Sequence, residues 1–242
     1  MDINTSLIRS TIKHFPSVLP YLAGKARWIA LTAPKDIPFD EAKTVDYYLR
    51  QLLGLIRAVY NGDIRREFLD IMSSLIQGQL TQAWMLALQE DNCTGGQMTD
   101  AMRIQLEGFI LSEYGFVDGL YNDILNAALL QQPIEPLFSR ARLWANRWTE
   151  VYNAAKLAIA AECGEKMMWK LGMTEEHCST CSALDGIVAF ATEWEQLNVR
   201  PQSPPNPILE CEGWQCGCEL VPTTQRRSPN ALTTILNVVS RI

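Results

Sequence analysis

Five cysteines between residues 178 and 218 have the clearest capacity for chemistry in this chain. Cys178 and Cys181 are separated by two residues, the spacing at which a tight turn presents two thiolates to one zinc ion. Zinc takes four soft or borderline ligands in a tetrahedron, and the downstream cysteines supply more than the two still needed. The sequence therefore predicts a zinc site formed by Cys178, Cys181, Cys211 and either Cys216 or Cys218.

Other states of this cysteine cluster remain open. The thiols could form disulfides in an exposed particle or stay unligated, and His177 is a substitute ligand. A thioredoxin-type redox pair is disfavoured, because no parallel strand–helix pattern surrounds Cys178 and Cys181. Cys93 and Cys163 lie outside the cluster, and we expect them to be free, buried thiols.

Few side chains are candidates for catalysis. The chain has two histidines, and His177, adjacent to Cys178 in sequence, does not supply the converging Cys–His pair that nucleophilic catalysis needs. Glu175 and Glu176 could act as a base beside a metal, but adjacent carboxylates are more often solvated surface. We therefore expect neither an enzyme nor a small-molecule substrate, and no catalytic role for Glu175, Glu176 or His177.

Composition and charge indicate a folded protein without a membrane span. The 242 residues are 48% hydrophobic, and none of their apolar runs approaches the length of about 18 residues that a span needs. The first residues lack the features of a secretory signal, so we expect a reducing cytoplasm. The net charge is −6, yet residues 1–60 and 223–242 are each basic. These basic ends are either ordinary solvated charge or contacts to an acidic partner such as DNA or an assembly subunit.

Apolar stripes place most of the chain in helices. Prolines interrupt residues 1–40, which we predict to be an irregular arm. Apolar residues then recur at three- and four-residue steps, which predicts a bundle of four long helices over residues 41–172. The four predicted helices cover residues 45–59, a stretch capped by Asp63 and ending near Leu88, a segment after Gly96 that includes Phe116–Ala128, and Leu137–Ile159.

The last seventy residues have a different character. Residues 173–222 are rich in cysteine and proline and too broken to fold by apolar burial alone, so we predict a small Cys-rich α+β module with short β-hairpins. The predicted fold class is thus mainly α. Residues 223–242 are predicted to end in a short docking helix, which needs a surface to be ordered. That surface is either the chain's own bundle or a neighbouring subunit. In the second case the partner-binding residues would be Arg226, Arg227, Leu232, Ile235, Leu236 and Val239.

Short motifs between residues 137 and 222 follow one another in a specific order. They are Arg147-Trp148-Thr149-Glu150, Asn153-Ala154, Trp169, Cys178-Ser179-Thr180-Cys181, Leu184-Asp185-Gly186, Pro204-Pro205, Cys216-Gly217-Cys218 and Pro222. This order resembles the phage head morphogenesis domain, the Mu F-like group of minor head proteins. That family usually carries His-Pro just before its Cys-x-Cys pair, where this chain reads Pro205-Asn206-Pro207. If the family histidine is a ligand, Cys211 takes its place; if it is catalytic, the task is absent here.

The resemblance implies a function as a structural component of a tailed phage. It suggests a minor head protein present in few copies, in the virion at the head interior or portal vertex, made in the host cytoplasm and needed for head assembly or DNA delivery. The implied partners are the portal or major capsid protein. Two alternatives stay open: a protein ejected with the genome that binds the packaged DNA, and a zinc-dependent hydrolase.

Overall fold

A computed structural model describes residues 41–91, 93–173, 176–203, 206–213 and 216–240. The predicted arm at residues 1–40 lies outside this range, as do Glu175 and the Pro204-Pro205 motif. Within it the chain is mainly helical, with a small three-stranded antiparallel sheet and a Cys-rich C-terminal region, as predicted. None of the helices described is both long and apolar enough to cross a membrane.

The first two helices follow their apolar stripes but differ from the prediction at one boundary. Helix α1 (Glu41–Asn61) is followed by Gly62, whose φ of +95° suits a glycine after a helix. Helix α2 (Phe68–Glu90) begins well after Asp63, so the prediction that Asp63 caps it is wrong. Residues 62–67 form turns instead, and the backbone N–H of Asp63 closes the end of α1 by donating to the carbonyl of Ala58 at 2.9 Å.

The third predicted helix is in fact two helices, α3 (Asp100–Tyr114) and α4 (Val117–Leu129). They separate at Gly115, a poor helix residue, where the N–H of Phe116 donates to the carbonyl of Glu113 at 3.1 Å in a turn. Phe116 is exposed, although the stripe had placed it on the buried face. Helix α5 (Glu135–Glu162) has Pro136 in its first turn, where its missing N–H would have no intrahelical partner.

The described chain divides into two units. The first contains residues 41–82 and Ile104–Trp148, and the second contains Ala83–Arg103 and the residues from Thr149 onward. The division therefore falls within α2, α3 and α5, whereas the sequence-based division placed its breaks after residues 40, 172 and 222. In the first unit α1 packs against α4. The amide of Gln79 there donates to the backbone carbonyl oxygens of Trp144 and Ala145, at 2.7 and 2.8 Å.

The second unit contains a sheet of order β2-β1-β3, formed by β1 (Lys166–Lys170), β2 (Val188–Phe190) and β3 (Glu219–Pro222). Both neighbours of β1 run antiparallel to it, with Met168 opposite Val188 on one side and Val221 on the other. Long connections join the strands and carry two short helices, α6 (Ser179–Leu184) and α7 (Ala191–Gln196). The cysteine cluster lies in these connections.

One hydrophobic core joins the sheet, the end of α5 and the last helix, α8 (Ala231–Val239). Trp169 on β1 and Trp194 on α7 are fully buried with ring centroids 5.8 Å apart, and the Trp194 indole N–H donates to the carbonyl of Met167 at 3.2 Å. Cys181 and Cys218 belong to this core, as does Ile235 of α8. The cysteine-bearing connections thus share their apolar support with the helices around them.

Cys93 and Cys163 form a disulfide within the second unit, so the expectation that both are free, buried thiols is wrong. Cys93 is exposed and Cys163 half-buried. The two lie 70 residues apart, Cys93 after the end of α2 and Cys163 after the end of α5. Their pairing depends on the tertiary arrangement of the unit, which the periodicity of the sequence does not give.

Candidate metal centre

The first two cysteines of the cluster are placed by a helix cap. Cys178 has an extended backbone (φ −66°, ψ 159°) and precedes α6, and its sulfur accepts a hydrogen bond from the N–H of Cys181 at 3.3 Å. Its carbonyl also accepts from the N–H of Ser182 at 3.0 Å. The turn brings the two sulfurs to the same side, with Cys181 buried and Cys178 half-buried. This is the geometry that two cysteines need to reach one ion.

Cys211 is placed by a loop that is tied to α6. The Oε2 atom of Glu210 accepts hydrogen bonds from both the N–H and the hydroxyl of Ser179, at 2.7 and 2.6 Å. The N–H of Glu210 donates to the Thr180 hydroxyl at 3.2 Å. The loop is also anchored by Asn206, whose buried amide donates to the carbonyl of Asn198 at 3.2 Å. Because Glu210 precedes Cys211, these bonds hold the third cysteine beside the first pair.

Cys216 and Cys218 are placed by a close approach of two backbones. A Cβ atom added to Gly172 would lie 1.9 Å from the carbonyl oxygen of Gly217, so only glycine fits at residue 172 without a shift. The carbonyl of Cys218 also accepts a hydrogen bond from the side-chain amide of Gln202 at 3.0 Å. The Cys-x-Cys segment is therefore fixed against the chain that leaves β1.

The five sulfurs form two groups of three that share Cys181. Within each group all sulfurs lie within 4.8 Å of one another; the groups are Cys178, Cys181 and Cys211, and Cys181, Cys216 and Cys218. The Cys181 sulfur is 4.0 Å from that of Cys211 and 3.8 Å from that of Cys216. A zinc ion with four bonds of about 2.3 Å holds its sulfurs about 3.8 Å apart. The cluster could therefore hold a metal ion.

Hydrogen bonds and burial give the five thiols of the cluster different pKa values. The hydrogen bond from the Cys181 thiol lowers the pKa of Cys216 to about 5, against the opposing effect of burial. Burial also opposes ionisation of Cys178, but the N–H of Cys181 helps to lower the pKa of Cys178 below its ordinary value. Each group of three thus contains one thiol whose pKa is lowered, and metals bind the thiolate form.

The other three thiols hold their protons more firmly without a metal. Hydrogen bonding to the Cys216 sulfur, together with burial, raises the pKa of Cys181. Burial raises the pKa of Cys211 to about 11 and also raises the pKa of Cys218. A cation bound among these sulfurs would displace such protons, so binding would release protons and weaken as the pH falls.

The residues predicted to bind a partner are not brought together as one surface. Ile235 is fully buried in the core of the second unit, so its assignment to a partner surface is corrected. The guanidinium of Arg227 forms an ion pair with Glu193 of α7, with Arg227 Nε to Glu193 Oε2 at 2.9 Å. Arg226 and Leu236 are exposed, and Leu232 and Val239 are half-buried. The apolar face of α8 therefore covers the chain's own core, where it contacts α6 and β2, whereas the prediction had named the helical bundle as the intramolecular surface.

Several residues that build the centre were not singled out from the sequence. Gly172, Glu210 and Gln202 hold the cysteine segments, and each lies in a stretch without apolar periodicity. His177 is half-buried and Glu176 exposed next to the cluster, and neither is among the residues whose ligand atoms group with the sulfurs.

Comparison with known proteins gives no relative: the chain matches no protein-family model, no curated protein and no solved structure.

Proposed function

We propose that this chain is a structural protein of a phage head, a minor head protein whose C-terminal unit is stabilised by a zinc ion. The observation that carries the proposal is the convergence of cysteines from three separate segments on the sulfur of Cys181. Bringing together side chains that are this far apart in sequence costs conformational entropy. The binding of a structural metal offsets that cost. The zinc ion would join the segments that the hydrophobic core only partly holds.

Zinc fits the donor set better than the hard cations do. All five donors are thiols, which favour zinc and other soft ions over magnesium or calcium. The N–H of Cys181 donates to the Cys178 sulfur, the kind of outer contact that orients a ligand and lowers its basicity. We assign the ion to Cys178, Cys181, Cys211 and Cys216, because the Cys181 sulfur lies 4.0 Å from that of Cys211 and 3.8 Å from that of Cys216. Cys218 is the alternative fourth ligand.

Metal analysis of the purified full chain tests this assignment. We expect at least one equivalent of zinc per chain in protein purified without chelators, and a large loss of bound zinc in Cys181→Ser. The matched control is Cys163→Ser, which removes a cysteine outside the cluster and should retain the metal. Protein that carries no stoichiometric metal, or peptide mapping that pairs the cluster cysteines with one another, would contradict the zinc proposal.

The head-protein role is supported by the resemblance over residues 137–222. Several residues of the resembling motifs, among them Trp169, Leu184 and Cys218, pack in the same hydrophobic core as Cys181. A motif built of core and ligand residues serves folding rather than catalysis, which favours a structural part in head assembly or DNA delivery. The partners would then be the portal or major capsid protein, and the protein would lie inside the head or at the portal vertex.

Incorporation into particles tests this role. We expect the chain to co-purify with phage heads and to be lost when Leu236→Glu alters the exposed side of α8, because Leu236 and Arg226 are the exposed members of the predicted partner surface. Deleting residues 223–242 is a poorer test, since it also removes Ile235 from the core. DNA binding with a steep salt dependence, without incorporation into heads, would favour the ejected DNA-binding protein instead.

A further inference from the structure

The cysteine cluster has one sulfur more than a single tetrahedral ion can bind, and the arrangement of the sulfurs suggests a use for it. A mononuclear site brings four sulfurs into mutual contact around one centre. Here the sulfurs are gathered as two groups of three that meet only at Cys181. Two groups of three sulfurs with one sulfur in common match the arrangement of two metal sites that share one thiolate ligand.

Cys181 occupies the position of a shared ligand. Its sulfur lies 4.0 Å from Cys211, a member of the first group, and 3.8 Å from Cys216, a member of the second. It is also buried, whereas its partners Cys178, Cys211 and Cys216 are each half-buried. A sulfur that belongs to both groups can direct separate lone pairs to two ions.

Hydrogen bonding distinguishes Cys181 from an outer cysteine of the cluster. The Cys178 sulfur accepts the backbone N–H of Cys181. The Cys181 sulfur, in contrast, has hydrogen-bond contacts to other sulfurs, among them those of Cys211 and Cys216. A thiolate that binds one ion keeps lone pairs for N–H donors, while a bridging thiolate uses two of them on metals. The surroundings of Cys181 suit the second case.

We propose that the cluster binds two zinc-like divalent ions, with the Cys181 thiolate bridging them. This inference rests on the proposed metal-binding function and adds a second ion to it. One ion lies among Cys178, Cys181 and Cys211 and the other among Cys181, Cys216 and Cys218, each with water or a small ligand in its fourth position. The five thiols release their protons to solvent, and no electron transfer is involved.

Charge balance in the core favours the two-ion state. Four thiolates around one divalent ion carry a net charge of −2, whereas five thiolates around two such ions carry −1. Cys181 and Cys218 are part of the apolar core with Trp169, where uncompensated charge is costly. The second ion therefore lowers the charge that this core has to accommodate, and it also fixes the Cys-x-Cys segment through both of its sulfurs.

Counting bound cadmium in the full chain tests the proposal. The protein is prepared with its cluster cysteines as free thiols and titrated with Cd²⁺ against a competing chelator. Native mass spectrometry should then show two bound ions in the wild type and one in Cys218→Ser. Cys181→Ser should lose both at the same chelator concentration, although it keeps four cysteines in the cluster. Cadmium NMR of the wild type should show two resonances, both correlated with the β protons of Cys181.

Controls separate this inference from the proposed function. The double variant Cys93→Ser/Cys163→Ser lacks the disulfide but keeps the cluster, and should still bind two ions. Circular dichroism of each variant identifies any that fails to fold, and the NMR correlation in wild-type protein does not depend on a substitution. A single bound ion in the wild type, or correlation of Cys181 with one resonance only, overturns the bridged pair while leaving the proposed zinc site intact. The absence of any bound ion overturns both.

Discussion

Replacing Gly172 by alanine should damage the metal centre without touching a ligand. The added Cβ would lie 1.9 Å from the oxygen, 2.3 Å from the carbonyl carbon and 2.8 Å from the Cα atom of Gly217. All three are backbone atoms, so no side chain can rotate out of the way. The two chain segments would have to separate by roughly 1.5 Å for the oxygen to reach an ordinary contact distance.

The size of that displacement determines the expected effect. Gly217 lies between Cys216 and Cys218, so moving it moves two sulfurs. Metal–sulfur distances tolerate deviations of only about 0.2 Å, much less than the displacement required. We therefore expect zinc affinity to fall by about 10- to 100-fold, the range found for residues that support ligands. Overpacking of this kind should also lower the free energy of unfolding by about 1–3 kcal/mol.

Zinc competition with a chromophoric chelator and thermal unfolding measure the two effects of Gly172→Ala. The matched control is Gly54→Ala in α1, where an added Cβ meets nothing within 4 Å. This control should keep its zinc affinity and gain about 0.4–1 kcal/mol, because alanine restricts the unfolded chain. If Gly172→Ala kept wild-type zinc affinity and melting temperature, the close approach of the two backbones would be refuted, and with it our account of how Cys216 and Cys218 are positioned.

Three further predictions concern the second unit. Ile235→Ala should lower the free energy of unfolding in urea by about 2–5 kcal/mol because Ile235 is fully buried, while Leu236→Ala on the exposed side should change it little. Equal effects would contradict the assigned orientation of α8. The hydrogen bond from Arg227 lowers the pKa of Glu193 below its ordinary value of 4.5, so its stabilisation should be complete above that pH and lost as the pH falls through the folded-state pKa. Glu193→Gln should remove this acid-dependent part of the melting curve, and an unchanged pH profile would count against the ion pair. Cys93→Ser should destabilise the protein by up to about 4 kcal/mol because the disulfide closes a loop of 70 residues, and a free Cys93 in non-reducing peptide maps would exclude the bond.

Apolar periodicity was enough to find the helices but not all of their ends. The apolar stripe on α5 from Leu137 to Ile159 is buried as predicted, because the apolar face of an amphipathic helix packs against the core. Gly115 divided a helix that the stripe had joined, since a local loss of helix propensity competes with an apolar pattern that continues beyond it. The start of α2 was missed for a related reason: Asp63 is a good cap in isolation, but the chain forms turns until Phe68 enters the core.

The sequence predicted which cysteines could bind the metal, but not the contacts that hold these cysteines in place. Cysteine spacing identified the cluster, because a two-residue separation has a direct geometrical meaning. The contacts of Glu210 with Ser179, and of Gly172 with Gly217, link residues that are distant in sequence and carry no pattern of their own. The Cys93–Cys163 pair was misjudged for the same reason. In each case the missing information was which loops meet in the folded unit.

The shared core changes how the cysteine segment should be understood. The composition of residues 173–222 predicts a separate module that is too broken to fold by apolar burial alone. In the structure Cys181 and Cys218 pack with Trp169 of β1, and the same core continues to Ile235 of α8. Apolar burial and thiol convergence therefore act on the same residues. Metal binding and the folding of the second unit should consequently be coupled, because each positions groups that the other requires. This coupling also gives a physical reason for α8 to pack on its own chain, since that helix completes the apolar core in which Cys181 and Cys218 are buried.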